Sequence, residues 1–222
     1  MKLLNTYIDH TLLKPTATKN DIITLCQEAI EHKFLSVCVN SCYVALAKSQ
    51  LKDSHVKVCS VIGFPLGSMS TQAKVAETKS ALSQGADEID MVINLGYLKS
   101  KDFDAVWKDI EAVKKVMPQQ VLKVILETCY LEDLEIIKAS ELAIQSGADF
   151  IKTSTGFGTG GATLHDVKLM KSVANGTVKI KASGGIKDKK TALDFINLGA
   201  ERLGTSSGIE IVTGKTTSES KY

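Results

Sequence analysis

Gln145-Ser146-Gly147-Ala148-Asp149-Phe150-Ile151-Lys152 reads as the end of a helix, a glycine and the opening of a strand. Two other stretches repeat the pattern: Ser83-Gln84-Gly85-Ala86-Asp87-Glu88-Ile89-Asp90 and Asn197-Leu198-Gly199-Ala200-Glu201-Arg202-Leu203-Gly204. In each, the glycine follows an apolar helical stretch and can take the left-handed conformation that ends it. An acidic residue then leads into the strand. One helix–glycine–strand unit used three times implies repeated αβ units within one domain.

Working outward from these units, short runs rich in β-branched residues recur along the chain. The predicted strands are residues 7–11, 36–40, 56–62, 88–94, 121–127, 150–154, 178–183 and 202–205. Helical stretches separate them, as parallel strands with crossovers require. Residues 18–33 place Ile22, Leu25, Cys26, Ala29 and Ile30 on one face, and 133–146 carry Leu134, Ile137 and Ile144. The strands are mostly apolar, as when both faces are covered. The reading is an α/β fold, a (β/α)8 TIM barrel, in a single domain over residues 1–222. Residues 214–222 are expected to form a mobile tail. A doubly wound open sheet is the competing architecture, because a sequence does not display closure.

Composition narrows the function. The formal net charge of +2 does not mark a nucleic-acid-binding surface. No apolar run approaches the roughly 20 residues that span a bilayer. The first residues, MKLLNTYIDHTLLKP, lack a signal peptide's long apolar stretch, so a cytoplasmic protein is expected. The five cysteines form no C-x-x-C pair and the four histidines are scattered. Neither a metal nor a cofactor is expected.

In a barrel, chemistry gathers at the C-terminal ends of the strands. Lys152 falls there in an otherwise uncharged strand. Desolvation favours the neutral amine that a Schiff-base nucleophile requires; on strand position alone, a buried ion pair explains it equally well. The next strand carries Lys181 at its C-terminal end, one strand spacing of about 4.8 Å away. Two cations so placed repel, which favours the neutral form of one of them. Lys179 shares the parity of Lys181 but lies nearer the strand start, and reads as structural or exposed. Asp90 and Asp9 are carboxylates embedded in apolar runs. They serve proton transfer or simple charge compensation. Asp87 and Glu88 read as edge residues. Three late loops are rich in Gly, Ser and Thr: residues 154–161, 183–185 and 204–208. Such loops suit phosphate.

Together these residues resemble the deoxyribose-phosphate aldolase family. The resemblance is carried by Asp9-His10-Thr11-Leu12-Leu13-Lys14-Pro15, Ile62-Gly63-Phe64-Pro65-Leu66-Gly67 and Gly85-Ala86-Asp87-Glu88-Ile89-Asp90-Met91-Val92. It continues through Gly147 to Phe157, Lys181-Ala182-Ser183-Gly184-Gly185-Ile186 and Arg202-Leu203-Gly204-Thr205-Ser206-Ser207, spanning essentially the whole chain. The resemblance implies reversible cleavage of 2-deoxy-D-ribose 5-phosphate to D-glyceraldehyde 3-phosphate and acetaldehyde, in deoxyribose phosphate catabolism. By that likeness Lys152 forms the Schiff base and Lys181 is the neighbouring cation. Asp90, with a water, handles proton transfer and Asp9 supports the network. Gly184, Gly185, Ser206 and Ser207, with Gly156 and Gly204 from the same glycine-rich loops, form the phosphate site. Tyr222 ends the chain as in relatives whose tail tyrosine assists protonation at the acetaldehyde carbon. On the residues alone it ends a polar stretch. A small sugar phosphate is the expected partner, and a homodimer the expected assembly. The competing functions are a phosphate-binding isomerase or epimerase and a non-catalytic sugar-phosphate sensor. Neither needs a reactive lysine.

Overall fold

The computed structural model describes residues 3–214. Eight parallel strands close into a barrel: β1 (Ile8–Leu12), β2 (Ser36–Val39), β3 (Lys57–Ile62), β4 (Glu88–Val92), β5 (Val121–Ile125), β6 (Phe150–Lys152), β7 (Lys179–Ser183) and β8 (Arg202–Thr205). Closure is made by β8 pairing with β1, Asp9 opposite Gly204. That pairing removes the open-sheet alternative. The predicted strands all form, and most run one or two residues shorter than the apolar runs that announced them.

The outer ring comprises α1 (Lys19–Glu31), α2 (Val44–Gln50), α3 (Thr71–Ser83), α4 (Leu95–Lys99), α5 (Phe103–Lys115), α6 (Asp133–Gln145), α7 (Leu164–Ala174), α8 (Lys189–Leu198) and α9 (Gly208–Thr213). Side chains start them where the sequence offers a short acceptor. Thr18 and Asp21 form a reciprocal capping box at α1, and Thr163 and Asp188 cap α7 and α8. The repeated glycines end α3, α6 and α8 with φ of +101°, +81° and +116° at Gly85, Gly147 and Gly199. The acidic residue after each of the first two has its own task. Asp87 accepts from the Val58 N–H at 2.9 Å, and Asp149 from the Leu122 N–H at 2.8 Å. Each ties the foot of a new strand to the foot of its neighbour.

The main apolar core lies between barrel and helices. In α1 it takes Ile22, Leu25, Cys26 and Ala29, but not Ile30, which is 41% exposed. At 100° per residue Ile30 sits about 80° from Ile22, past the edge of the stripe. The expected face of α6 also shifts. Leu134 is 79% exposed and the buried set is Ile136, Ala139, Ser140, Leu142 and Ala143. Leu134 points about 160° away from Ile136 on the same arithmetic. No helix among the described residues is long and apolar enough to cross a membrane. The expected tail beyond Gly214, with Tyr222, lies outside the described residues.

Candidate active site

Strand register decides which side chains meet. Lys152 on β6 stands directly opposite Lys181 on β7, Asp90 on β4 opposite Lys123 on β5, and Lys181 opposite Arg202 on β8. Side chains of one parity fill the barrel interior, so charged residues on six strands, β1 and β4 to β8, converge. Asp90 is the hub. Its Oδ2 accepts from Lys152 Nζ at 2.8 Å and from Lys181 Nζ at 2.7 Å, and its Oδ1 accepts from Lys123 Nζ at 2.9 Å. Lys181 also pairs with Asp9 at 2.5 Å. Asp9 accepts from the Arg202 guanidinium and from Ser36 Oγ, and Arg202 reaches on to Glu88. Glu88 closes the circuit with Lys123 at 2.6 Å.

Gly204 explains how Lys181 fits. A Cβ on Gly204 would lie 3.0 Å from the Lys181 side chain and 2.9 Å from Ser183 Cβ. The bare backbone there gives Lys181 its path to the two aspartates. Below this layer the Phe150 ring faces Lys123, Lys179 and Arg202, all about 6 Å from its centre. Lys179 itself is exposed at the foot of β7.

Burial disfavours the charges of Asp9, Glu88, Asp90, Lys123, Lys181 and Arg202, and mutual attraction outweighs it. Burial works to raise the Asp90 carboxyl, but Lys123, Lys152 and Lys181 hold it well below the usual carboxylate range. Asp9 is lowered in the same way, chiefly by Arg202 and Lys181. Burial would neutralise Lys181, yet Asp9 and Asp90 keep its pKa above that of a free lysine. Glu88 falls to about 2 against its own desolvation, through Lys123 and Arg202. The buried groups of the network are three carboxylates (Asp9, Glu88, Asp90) and four basic side chains (Lys123, Lys152, Lys181, Arg202). The half-exposed Lys57 approaches Glu88 only from the barrel foot, at 3.5 Å. Lys123, Lys181 and Arg202 each touch two carboxylates. Lys152 touches Asp90 alone and is the one nearest the mouth.

Cys38, Cys59 and Asp90 bring ligand atoms within 4.8 Å of one another. Their chemistry does not suit a cation. Both Asp90 oxygens already accept from ammonium groups. Burial first, and the neighbouring Cys38 and Asp90 next, push the Cys59 thiol well above its ordinary range. A metal there would have to displace ammonium groups from an interior already rich in positive charge.

Above the network lie the loops. Gly156, Gly184 and Gly185 have φ of +85°, +85° and +79°. The loop after β6 leans on the loop after β7, where the Ala162 N–H donates to Ser183 and Gly184 carbonyls. Gly185 and Ser206 are exposed and Ser207 half-buried. The Ser207 N–H is held by Thr205 Oγ1 at 2.9 Å, so what Ser207 offers a ligand is its hydroxyl.

The arrangement is a buried lysine beside a second lysine, both on one carboxylate oxygen, beneath open glycine loops. A family model described as DeoC/LacD family aldolase matches residues 3–214. The chain belongs to that family. Deoxyribose-phosphate aldolase of Finegoldia magna is 58% identical over 211 residues, covering 95% of this chain and 99% of that protein. The deoxyribose-phosphate aldolase of Thermococcus kodakarensis is 58% identical over 212 residues, covering 94% and 95%. Among solved structures, the aldolase QR15 superposes with a TM-score of 0.93 at 47% identity, covering 96% of both chains. The tetrameric deoxyribose-phosphate aldolase of Aeropyrum pernix gives 0.89 at 34%, covering 95% of this chain and 90% of that one.

In this aldolase the sequence reading found Lys152, Lys181, Asp90 and Asp9, and the barrel brings all four together. It missed Lys123 and Arg202 and placed Glu88 at an edge, whereas Glu88 is 1% exposed inside the barrel. The signal was present. Lys123 interrupts Val121-Leu122-Lys123-Val124-Ile125 as plainly as Lys152 interrupts its own strand.

Proposed function

We propose that this aldolase reversibly cleaves 2-deoxy-D-ribose 5-phosphate to D-glyceraldehyde 3-phosphate and acetaldehyde through a Schiff base at Lys152. One observation carries the reading: the interior has one more buried basic side chain than carboxylates, and Lys152 is the one with a single carboxylate partner. Loss of the Lys152 proton balances the cluster and yields a nucleophile at the mouth.

The chemistry then follows from the partners. The Lys152 amine adds to C1 of the open-chain aldehyde, and the carbinolamine loses water to give an iminium. The C3 hydroxyl loses its proton and the C2–C3 bond breaks. Its electron pair enters the iminium, which releases glyceraldehyde 3-phosphate and leaves an enamine. Protonation at C2 and hydrolysis free acetaldehyde and restore the amine. The iminium is the electron sink, so the step calls for no metal. Asp90 stays anionic and fixes Lys152 and Lys181, while a water carries protons between this cluster and the substrate oxygen. Asp9 steadies Lys181. The phosphate is received by Gly184, Gly185, Ser206 and Ser207, with Gly156 at the rim and Gly204 holding the floor open; its binding orients the reacting carbons. Tyr222 is assigned to protonation at C2, and deleting it should slow proton exchange at the acetaldehyde carbon.

The reading places the enzyme in deoxyribose phosphate breakdown in the cytoplasm, where its five free thiols suit a reducing compartment. It also takes the chain to form a homodimer, which light scattering tests. Incubation with acetaldehyde and borohydride is expected to leave a reduced two-carbon adduct on Lys152. Turnover of deoxyribose 5-phosphate is expected to survive exhaustive chelation. An adduct on another lysine, or activity restored only by a divalent ion, would overturn the proposal.

A further inference from the structure

Lys123 is a buried cation that the proposed chemistry leaves without a task. It is 0% exposed and stands on β5 opposite Phe150, two residues below Lys152 on β6. Sealed there, it meets no substrate. Its ammonium lies between two carboxylates, with Glu88 Oε2 at 2.6 Å and Asp90 Oδ1 at 2.9 Å, and Cys59 Sγ is 3.4 Å away.

Neither carboxylate depends on Lys123 for a hydrogen bond. Asp90 Oδ1 also accepts from the Cys59 thiol at 3.1 Å, while Oδ2 accepts from Lys152 and Lys181. Glu88 accepts from two Arg202 nitrogens, at 3.2 and 2.8 Å. With those bonds held by other donors, what Lys123 adds is a positive charge. It sits on one oxygen of Asp90 while Lys152 sits on the other. In an interior closed to water, that charge is weakly screened.

We infer that Lys123 is a positioning residue which, acting through Asp90, keeps the Lys152 amine free of its proton. This role rests on the proposed reaction, in which Lys152 is the nucleophile. Lys123 draws on the Asp90 charge, and less of it is left to hold a proton on Lys152. Without Lys123, the carboxylates of Asp9, Glu88 and Asp90 face Lys152, Lys181 and Arg202, three against three. The cluster is then balanced with Lys152 protonated, as a plain ion pair with Asp90. Four further titratable groups lie around this circuit. Cys38 is hydrogen-bonded to Cys59, Lys179 is exposed at the foot of β7, and Lys57 approaches Glu88 at 3.5 Å. All four stay unchanged in the variants below and drop out of their comparison.

The test follows two rates across pH: kcat/KM for deoxyribose 5-phosphate, and formation of the acetaldehyde–borohydride adduct on Lys152, read by mass spectrometry. In Lys123→Met the rise of both rates with pH is expected to move about one to two pH units to the alkaline side, within the reach of one neighbouring charge. At neutral pH that is a loss of about 10- to 100-fold, recovered in alkali. Lys123→Met combined with Glu88→Gln leaves Asp9 and Asp90 facing three cations, an excess of one as in the native protein. Both profiles are expected to move back toward the native ones. A merely structural Lys123 predicts the reverse, since the second substitution would then add damage and restore nothing. An unmoved profile in Lys123→Met, or a double variant displaced as far as the single one, would overturn the inference. Lys123→Gln repeats the measurement should the methionine variant fold poorly. The native protein separates the two claims: an unlabelled Lys152 there defeats the Schiff-base reading, whereas a labelled Lys152 with an unmoved variant profile defeats the role of Lys123 alone.

Discussion

Among the lysines buried against aspartates in this barrel, Lys74 and Lys152 behave as opposites. Lys74 lies on α3, 0% exposed, with Asp109 of α5 at 2.5 Å. It also donates to the Val92 carbonyl at the end of β4, and Thr71 donates to the second Asp109 oxygen. Burial works to lower the Lys74 pKa, and Asp109 works against it. The pair is closed: one cation, one anion, each further hydrogen-bonded. Lys152 is nearly as buried, yet its carboxylate is shared with Lys123 and Lys181. Burial is common to both, so burial does not mark the chemistry. The mark is a cation whose anion is already taken, at the mouth of the barrel.

The largest effect should come from removing that cation. Lys152→Ala is expected to lower kcat/KM more than about a thousandfold, as loss of a covalent nucleophile does, and to abolish the borohydride adduct. A variant that kept substantial turnover would erase the distinction between the two lysines. Lys181→Leu sharpens it. Without Lys181 the three carboxylates face Lys123, Lys152 and Arg202, and the cluster is balanced only if Lys152 keeps its proton. Rate at neutral pH should fall about a hundredfold, within the range of proton-transfer effects, and recover in part at alkaline pH. The adduct should still form on Lys152, more slowly. An unshifted pH–rate profile would show that charge balance is not what frees the amine.

The outer pair should respond in stability alone. Asp109→Leu leaves Lys74 as an uncompensated buried charge, at a cost of about 3–5 kcal/mol, read from urea denaturation. Turnover per folded molecule should hold. Replacing both, Lys74→Met with Asp109→Leu, should recover most of the loss, because a buried pair is often no better than well-packed apolar residues.

How far the sequence spoke depended on whether a feature was local. The helix–glycine–strand units needed only neighbouring residues to be read, and all three form. Lys152, Lys181, Asp90 and Asp9 were legible as charges inside apolar runs. Glu88 was not, because it opens its strand, and only barrel closure brings Arg202 of β8 across to it. Arg202, which opens β8, was passed over for the same reason. Leu134 went astray because an apolar residue near a helix start fits more than one stripe.

The acid limb of stability probes the inner circuit again. Glu88 titrates at about 2 in the folded protein against 4.5 for an unperturbed glutamate. Its carboxylate contributes fully above about pH 4.5, and the contribution drains away as pH falls toward 2. The midpoint of thermal unfolding should therefore drop across that window. In Glu88→Gln the drop should be shallower from a lower starting point. An identical slope would mean that Glu88 is not held by Lys123 and Arg202 as the structure has it.

The smallest effect belongs to the lysine that most resembles the active pair on paper. Lys179 shares the strand and parity of Lys181, two residues away. It sits at the foot of β7, exposed, its Nζ 5.6 Å from the centre of the Phe150 ring. No carboxylate is needed to hold it, since water solvates the head group while the ring face attracts it. Lys179→Met keeps the stem and removes the charge. Stability should fall by about 0.5–1 kcal/mol, the range for an exposed cation over an aromatic ring. Rate and pH profile should be those of the native protein, because water screens a charge exposed at the barrel foot. A shifted pH–rate profile in Lys179→Met would mean that charge at the barrel foot reaches Lys152, and the balance of the cluster would then have to be counted with Lys179, and with Lys57 beside Glu88, included.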